Sequence, residues 1–234
     1  MPDGTPPHPH SEATCRAILR AAVAEFSALG PEGARMDTIA RAAGVNKALL
    51  HYHFGTKEGL HRAVLEEVYG QVRERTLAQL EGGATPGERL LGYFLTHFDH
   101  LVQGDAARLM AYEMMRVREG RPSNVPHLAR TLFGPLYHAL RRVYEEGVRS
   151  GELRPGDPGQ AFLAVIGMNV FYFISAPMFR EITGADPREL AAVTRQRAAM
   201  VAFAAGLLFA DPQRGEAAAA STLSRFPRSA GDRP

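Results

Sequence analysis

The stretch DTIARAAGVNKALLHYHF at positions 37–54 constrains the fold more tightly than any other part of this sequence. Gly44 stands where a first helix must end in a left-handed residue, and Asn46 can cap a second helix by accepting a bond from a backbone N–H. Leu50 and Phe54 lie four residues apart, so they share one face of the second helix and must be buried. The spacing predicts a helix-turn-helix.

The opposite face of this second helix is predicted to point outward, with Ala48 and Tyr52 at its centre. Small, aromatic and basic side chains on one exposed helix face suit the major groove of DNA. Leu49 could touch a thymine methyl group, the apolar feature of that groove. The residues alone therefore indicate a protein that binds double-stranded DNA.

The longer stretch TIARAAGVNKALLHYHFGTKEGL resembles the DNA-binding signature of tetracycline-repressor-type (TetR family) transcriptional regulators. The resemblance runs without gaps from about Ile18 to Leu60 and carries the Gly44-Val45 turn in register. Ala48-Leu49 stands where a Gly-Thr or Gly-Asn pair is frequent, and His51 where Tyr is frequent. These departures concern the DNA sequence that is read, not the fold.

This resemblance implies a set of DNA contacts. Base edges would be contacted by Asn46, Ala48 and Leu49. The other contacts, mostly to phosphates, would come from Thr38, Lys47, His51, Tyr52, His53 and Lys57. Thr38 and Lys57 lie at predicted helix N-termini, where backbone N–H groups and the helix dipole already favour an anion.

Composition excludes several classes of protein. The net charge of the 234 residues is only +2, so the basic groups would have to act locally on nucleic acid. The single Cys15 allows no internal disulfide and suits a reducing cytoplasm, and a buried structural thiol is favoured over a redox sensor. The N-terminus shows no signal peptide, and the apolar stretch 161–176 is short for a membrane span. We expect a cytoplasmic protein without a membrane partner.

The periodicity predicts helices throughout, with no strand pattern. We expect an all-α fold in which an N-terminal three-helix head carries the helix-turn-helix and a C-terminal helical domain binds ligand and dimerises. A break or kink is predicted at Gly134-Pro135. The predicted segments are a disordered tail at 1–10, the helix-turn-helix domain at 11–56, a connecting helix at 57–80, the effector-binding and dimerisation domain at 81–210, and a second disordered tail at 211–234.

The helical domain is rich in methionine and aromatic residues. At helical spacing most of these would be ordinary core, but the resemblance implies an effector pocket within this domain, and flexible apolar walls suit such a site. Glu113, flanked by apolar residues, is a candidate polar anchor. The predicted effector-binding residues are Phe94, His97, Phe98, Met110, Glu113, Met114, Tyr137 and Phe171.

A metal site is the alternative for part of this region. His97 and His100 lie three residues apart on a helix, and Glu113 could supplement them. One histidine in the pocket and one in solvent is the favoured interpretation, so no metal or other cofactor is predicted.

Small residues recur along the last two long helices, for example at Ala164, Gly167, Ala198 and Ala202. They allow close helix approach, with apolar area added by Leu190, Val193, Met200, Val201, Phe203 and Leu207. The resemblance implies a four-helix interface between two subunits. We expect a homodimer formed through residues 159–208.

The sequence therefore favours a dimeric, ligand-responsive transcriptional regulator, most simply a repressor that a small apolar or amphipathic effector releases from operator DNA. The alternative is a helical small-molecule-binding protein or enzyme that does not bind DNA. No phosphate-binding loop, no nucleophile beside a base and no paired carboxylates support an enzyme.

Overall fold

The computed structural model describes residues 9–82, 84–102 and 105–227. Within these residues the regular structure is helical, apart from one isolated bridge between Leu153 and Phe209. The α-helices are α1 (Pro9–Gly33), α2 (Met36–Ala42), α3 (Lys47–Phe54), α4 (Lys57–Leu80), α5 (Pro86–Val102), α6 (Asp105–Arg118), α7 (Val125–Leu128), α8 (Gly134–Arg149), α9 (Pro158–Ile174), α10 (Ala176–Thr183), α11 (Leu190–Leu208) and α12 (Pro212–Arg225).

The chain divides into two compact units. The head unit comprises the residues up to Gly70 together with Arg108–Pro126, and the body unit comprises Gln71–Ala107 and the residues from His127 onward. The expected boundary after residue 80 therefore falls instead within α4, and most of α6 joins the head unit. Sequence periodicity marks where helices end, whereas a unit boundary depends on which side chains pack together.

The head unit is built around the buried side chains of α1 and the first half of α4. Ile18, Ala22 and Phe26 are fully buried, as their spacing predicts, whereas Leu29 at the end of the same series is 53% exposed. Gly30 breaks α1 with φ +69°, and a Cβ there would lie 2.9 Å from the ring of Tyr112 in α6. Positive φ and close packing both require glycine here.

The body unit is centred on α5, which packs against α8, α9, α11 and α12. One face of α5 supplies the fully buried side chains of Leu90, Leu91, Phe94 and Phe98. Arg197 of α11 reaches Asp99 with two hydrogen bonds, of 2.7 and 2.8 Å. The same guanidinium donates to the backbone carbonyl of Phe226, so it joins three separate segments of this unit.

At Gly134-Pro135, where a break or kink was predicted, the helical backbone continues but its hydrogen-bond pattern changes. A π-helical turn, Ala129–Phe133, precedes α8, which begins at Gly134 with Pro135 in its first turn. Proline lacks the N–H that an ordinary α-helical turn would use here, and the wider π-helical turn coincides with its position. A Cβ on Gly134 would lie 2.7 Å from the carbonyl oxygen of Ala129, so glycine permits the tight passage.

The prediction of a disordered tail at 211–234 is wrong for most of its length. Residues 212–225 form α12, capped by Asp211, whose carboxylate accepts from the backbone N–H of Gln213 at 2.8 Å. Ala218, Ala219 and Thr222 are buried against the body unit. The last residues, 228–234, lie outside the described residues, as do residues 1–8 of the other predicted tail; Pro9 and His10 already belong to α1.

No single helix of the described chain is long and apolar enough to cross a membrane. Only α9 and α10 together, bent by 62° at their junction, reach the length and composition of such a span.

Candidate nucleic-acid interface

The turn between α2 and α3 has the geometry that its sequence predicts. Gly44 adopts φ +69°, and the N–H of Val45 donates to the carbonyl of Ala40 at 3.0 Å. Asn46 caps α3 by accepting a hydrogen bond of 2.8 Å from the N–H of Leu49. Leu50 is fully buried, which orients the helix. Phe54, expected to be buried beside it, is only half-buried.

The outward face of α3 is open. Lys47, Ala48, His51 and Tyr52 are exposed, and Tyr52 has 81% of its surface accessible. A large aromatic side chain left this open buries little apolar area within the chain, so it is available to contact another molecule. Leu49 is half-buried, which limits how far it can reach into a groove.

The two lysines of the chain have different partners. Lys47 Nζ lies 3.0 Å from a carboxylate oxygen of Asp37, and both side chains are at least half exposed. Exposed pairs of this kind contribute about 0–1 kcal/mol, so a phosphate can replace the carboxylate at little cost. Lys57 Nζ instead donates to the backbone carbonyls of Glu32 and Ala34, at 3.2 and 3.3 Å.

The two histidines of α3 are oriented by hydrogen bonds within the head unit. His51 Nδ1 lies 2.7 Å from the carbonyl oxygen of Gly55, which can only accept, so Nδ1 carries a proton. His53 Nδ1 lies 3.4 Å from Cys15 Sγ on α1.

Two threonines lie at helix N-termini of the head unit. Thr56 Oγ1 accepts from the N–H of Gly59 at 3.0 Å and caps α4. Thr38 is half-buried in the first turn of α2.

The predicted effector-binding residues are divided between the two units. Met110, Glu113 and Met114 belong to the head unit, and the other five belong to the body unit. Glu113 is fully buried, but its carboxylate accepts from the backbone N–H of Asn124 and lies 3.4 Å from His61 Nδ1. Glu113 is therefore engaged by the head unit itself, and its assignment as an effector anchor is not supported. Its partners lie far away in sequence, so helix periodicity could not show them.

Two predicted aromatic residues of the body unit form part of its core. Phe94 and Phe98 are fully buried, and the ring of Phe98 lies 5.2 Å from that of Phe173. Tyr137 and Phe171 are 38% and 59% exposed. Core rings of this kind would line an effector site only if the helices around them moved apart.

His97 is held by a residue that sequence analysis missed as part of a site. Asn169 is fully buried, and its Nδ2 donates to the carbonyl of Phe94 at 3.1 Å and lies 3.3 Å from His97 Nδ1. Burial, helped by nearby His100, lowers the pKa of His97 to about 4, so the ring is neutral at pH 7 and can accept at Nδ1. An asparagine within an apolar helix was the available signal. Among the described residues, no three His, Cys, Asp or Glu side chains are grouped to hold a metal.

The body unit contains a cavity between α4, α5 and α8, with a volume of about 650 Å³. Leu77, Leu80 and Val143 line its apolar part, and Arg89, Arg142 and Arg149 stand among the charged residues around it. Arg89 is paired with Glu146 at 2.6 Å. The lining suits a molecule with one apolar and one charged end.

The faces of α9, α10 and α11 that point away from the body unit's core carry large apolar side chains. On α9 these include Leu163, Phe171 and Ile174, which are 65%, 59% and 55% exposed. On α11, Phe203 and Leu207 are exposed beside the small residues Ala198, Ala199, Ala202 and Gly206. Val193, Met200 and Val201, which were expected to add area to an interface, are fully buried in the core instead.

Comparison with known proteins decides the family. Residues 18–64 match the family model for bacterial regulatory proteins of the tetR family, and residues 86–203 match the model for a tetracyclin repressor-like C-terminal domain. The chain belongs to the tetR family. Its members are DNA-binding transcriptional regulators, so this protein is a helix-turn-helix transcriptional regulator, and the expected all-α fold with an N-terminal helix-turn-helix is confirmed.

Individual TetR-family proteins show how far the similarity extends. The regulator RutR of Escherichia coli (strain K12) is 30% identical over 180 residues, covering 74% of this chain and 80% of RutR. The regulator BetI of Rhizobium meliloti (strain 1021) is 37% identical over 132 residues, covering 55% of this chain and 64% of BetI. The fold also matches that of AibR, solved with isovaleryl coenzyme A and operator DNA, with a TM-score of 0.64 at 20% identity over 83% of this chain and 97% of AibR.

Proposed function

We propose that this TetR-family protein is a cytoplasmic, homodimeric repressor that releases its operator DNA when a small amphipathic effector binds the body unit. The observation that carries the proposal is the exposed face of α3, where Tyr52 stands open beside Lys47 and His51 on a helix fixed by a capped turn. Family membership supports this interpretation of the face.

The exposed side chains of α3 can take distinct roles in contacting DNA. Lys47 can exchange the Asp37 carboxylate for a phosphate, and Tyr52 can donate its hydroxyl to another. His51 uses Nδ1 in its bond to Gly55, which leaves Nε2 facing outward towards base edges in the major groove. Ala48 leaves room for the bases between them. Thr38, Asn46, Leu49, His53 and Lys57 complete the proposed contact set.

The apolar faces of α9 and α11 support the proposed homodimer. A row of large exposed apolar side chains beside small residues is unusual for a monomer and favours close packing of helices from a second copy. Two heads carried by such a dimer would read half-sites about 34–36 Å apart, one DNA turn. The segment 159–208 is the proposed interface, without its buried members Val193, Met200 and Val201.

The effector site is proposed at the cavity of about 650 Å³ between α4, α5 and α8. Its apolar residues would hold the hydrophobic part of an amphipathic ligand, and Arg142 and Arg149 would face an anionic end. Leu77 lies on α4, the helix that begins at Lys57 in the head unit. An effector acts by differential affinity for two conformations, and a shift of α4 is the proposed difference between them.

The test of DNA binding uses the full chain and a pool of random duplexes. Selection should yield a pseudo-palindromic site, and the affinity for it should fall linearly with salt on logarithmic axes. Tyr52→Ala should weaken binding by about tenfold, equal to about 1.4 kcal/mol. Tyr137→Ala, a change at an exposed tyrosine of the body unit, serves as the matched control and should bind as the wild type does. A chain without salt-sensitive duplex affinity would favour the alternative, a helical small-molecule-binding protein or enzyme that does not bind DNA.

A further inference from the structure

The head unit contains a partly open cavity of its own, lined by several charged side chains and separate from the DNA-contacting face of α3. A cavity of about 110 Å³ lies where the end of α1, the first turns of α4 and the segment after α6 meet. Its lining includes Lys57, Glu58, His61, Arg62 and Arg116. Since a liquid water occupies about 30 Å³, the space corresponds to roughly three or four waters and suits a small organic molecule.

His61 gives this cavity a specific hydrogen-bonding group. The residue is 2% exposed and lines the cavity, and its Nε2 is a buried atom with no hydrogen-bond partner among the described residues. The ring is held by Phe26, with centroids 4.7 Å apart, and by Glu113, whose carboxylate lies 3.4 Å from Nδ1. Buried polar atoms without partners are rare and costly, so Nε2 favours a ligand.

The protonation of His61 follows from its two neighbours. Burial, reinforced by the charge of Arg116, lowers the pKa of the ring to about 4, so it is neutral at pH 7. Asn124 Nδ2 lies 3.5 Å from Nδ1, and its Oδ1 accepts from Arg62 Nε, so the amide nitrogen faces the ring. Because an amide nitrogen can only donate, Nδ1 accepts and the single proton is on Nε2. The unpartnered Nε2–H is a hydrogen-bond donor.

The charges around the cavity favour an anion. Arg116 is neutralised by Glu32, at 2.9 Å, and also donates to the carbonyl of Pro122 at 2.7 Å. The remaining charged lining residues are Lys57, Arg62 and the acidic Glu58. These lining residues together carry one excess positive charge. The first turn of α4 adds the positive end of its dipole.

We propose that this cavity binds a short hydroxycarboxylate, whose carboxylate is held by Arg62 and whose hydroxyl accepts from His61 Nε2. A molecule bound in this way would contact residues from α1, α4 and the segment that follows α6, and so would stabilise the head unit. The site does not depend on the DNA-binding function proposed above.

The experiment titrates the full-length protein with sodium lactate and sodium glycolate at constant ionic strength, measuring heat of binding and the thermal midpoint. At least one of the two should bind and raise the midpoint. Propionate lacks the hydroxyl and propane-1,2-diol lacks the charge. Each should bind at least about tenfold more weakly than the hydroxy acid. Equal binding of propionate would overturn the role of His61, and binding by neither hydroxy acid would overturn the site.

Two variants locate the binding. Arg62→Gln changes an exposed side chain and should fold as the wild type does. Its affinity for the hydroxy acid should be about tenfold lower. Arg20→Gln, at an exposed arginine of α1 outside the cavity, is the matched control and should bind normally. His61→Leu should abolish the preference for lactate over propionate. Unchanged binding in Arg62→Gln would place the ligand elsewhere and contradict the proposal.

Discussion

Lys57 Nζ lies 3.2 Å from the backbone carbonyl oxygen of Glu32, so the side chain that begins α4 also holds the connection between α1 and α2. A second bond, to the carbonyl of Ala34, uses another of its three donors. One N–H is then left for a phosphate. The lysine that the TetR resemblance assigns to DNA is therefore also a structural residue of the head unit.

Lys57→Ala should consequently change two measurements, whereas Lys47→Ala should change one. Each variant should lower the slope of log affinity against log salt by about one unit, because each removes one phosphate contact. Lys57→Ala should also lower the free energy of unfolding by about 1–2 kcal/mol through the lost bonds to Glu32 and Ala34. Lys47→Ala should alter it by less than about 0.5 kcal/mol, since its pair with Asp37 is exposed. Equal stabilities of the two variants would show that the backbone bonds of Lys57 contribute nothing.

Gly44 and Gly70 form a matched pair for the helix-turn-helix geometry. A Cβ would meet nothing within 4 Å at either position, but Gly44 has φ +69° whereas Gly70 lies inside α4. Gly44→Ala should therefore destabilise the protein by about 1–2 kcal/mol through backbone strain alone. Gly70→Ala should stabilise it by about 0.5–1 kcal/mol. Urea unfolding measures both, and a stabilising Gly44→Ala would contradict the left-handed turn.

The predictable features of this protein are those that a few neighbouring residues determine. The glycine turn and the Asn46 cap are local, so their residue types identified them. The pairing of His61 with Glu113 joins positions 52 residues apart, from 61 to 113, and no periodicity reports such a contact. Helix α12 was missed because its buried face consists of small residues, Ala218, Ala219 and Thr222, which produce no clear apolar stripe.

That missed helix allows a direct test by truncation. Ending the chain after Ala210 removes α12 and two of its hydrogen bonds to the rest of the body unit. One is accepted by the Phe226 carbonyl from Arg197, and the other is donated by the Ser221 hydroxyl to Glu88 at 2.8 Å. The loss should be on the order of 3 kcal/mol of unfolding free energy, from exposed apolar surface and broken hydrogen bonds. Ending the chain after Pro227 keeps all of α12 and serves as the comparison. If both truncations are equally stable, the packing of α12 does not contribute to the fold.

Ala202→Arg tests the proposed dimer. Ala202 is exposed on α11 beside Phe203, and an arginine there would place a charge within a closely packed apolar interface. Sedimentation should show monomers or aggregates of this variant at concentrations where the wild type is a dimer. Ala220→Arg, on the exposed face of α12 and outside 159–208, is the control and should remain a dimer. A dimeric Ala202→Arg protein would require another interface.

His97 should make the stability of the protein depend on pH in mildly acidic solution. In the folded protein its pKa of about 4 lies below the ordinary histidine value of 6.5, because burial disfavours the charged ring. The unfolded chain therefore binds one more proton between these two values, and stability falls as pH decreases from 6.5 towards 4, by up to about 1.4 kcal/mol per pH unit. His97→Gln keeps an acceptor for Asn169 but does not titrate, so urea unfolding at pH 7 and pH 5 should give a smaller difference for it than for the wild type. The exposed His138→Gln is the control and should retain the wild-type difference.

His61 is buried in the head unit, and its pKa is also lowered to about 4. It should therefore preserve part of the acid sensitivity in His97→Gln. That part should disappear when both histidines are replaced.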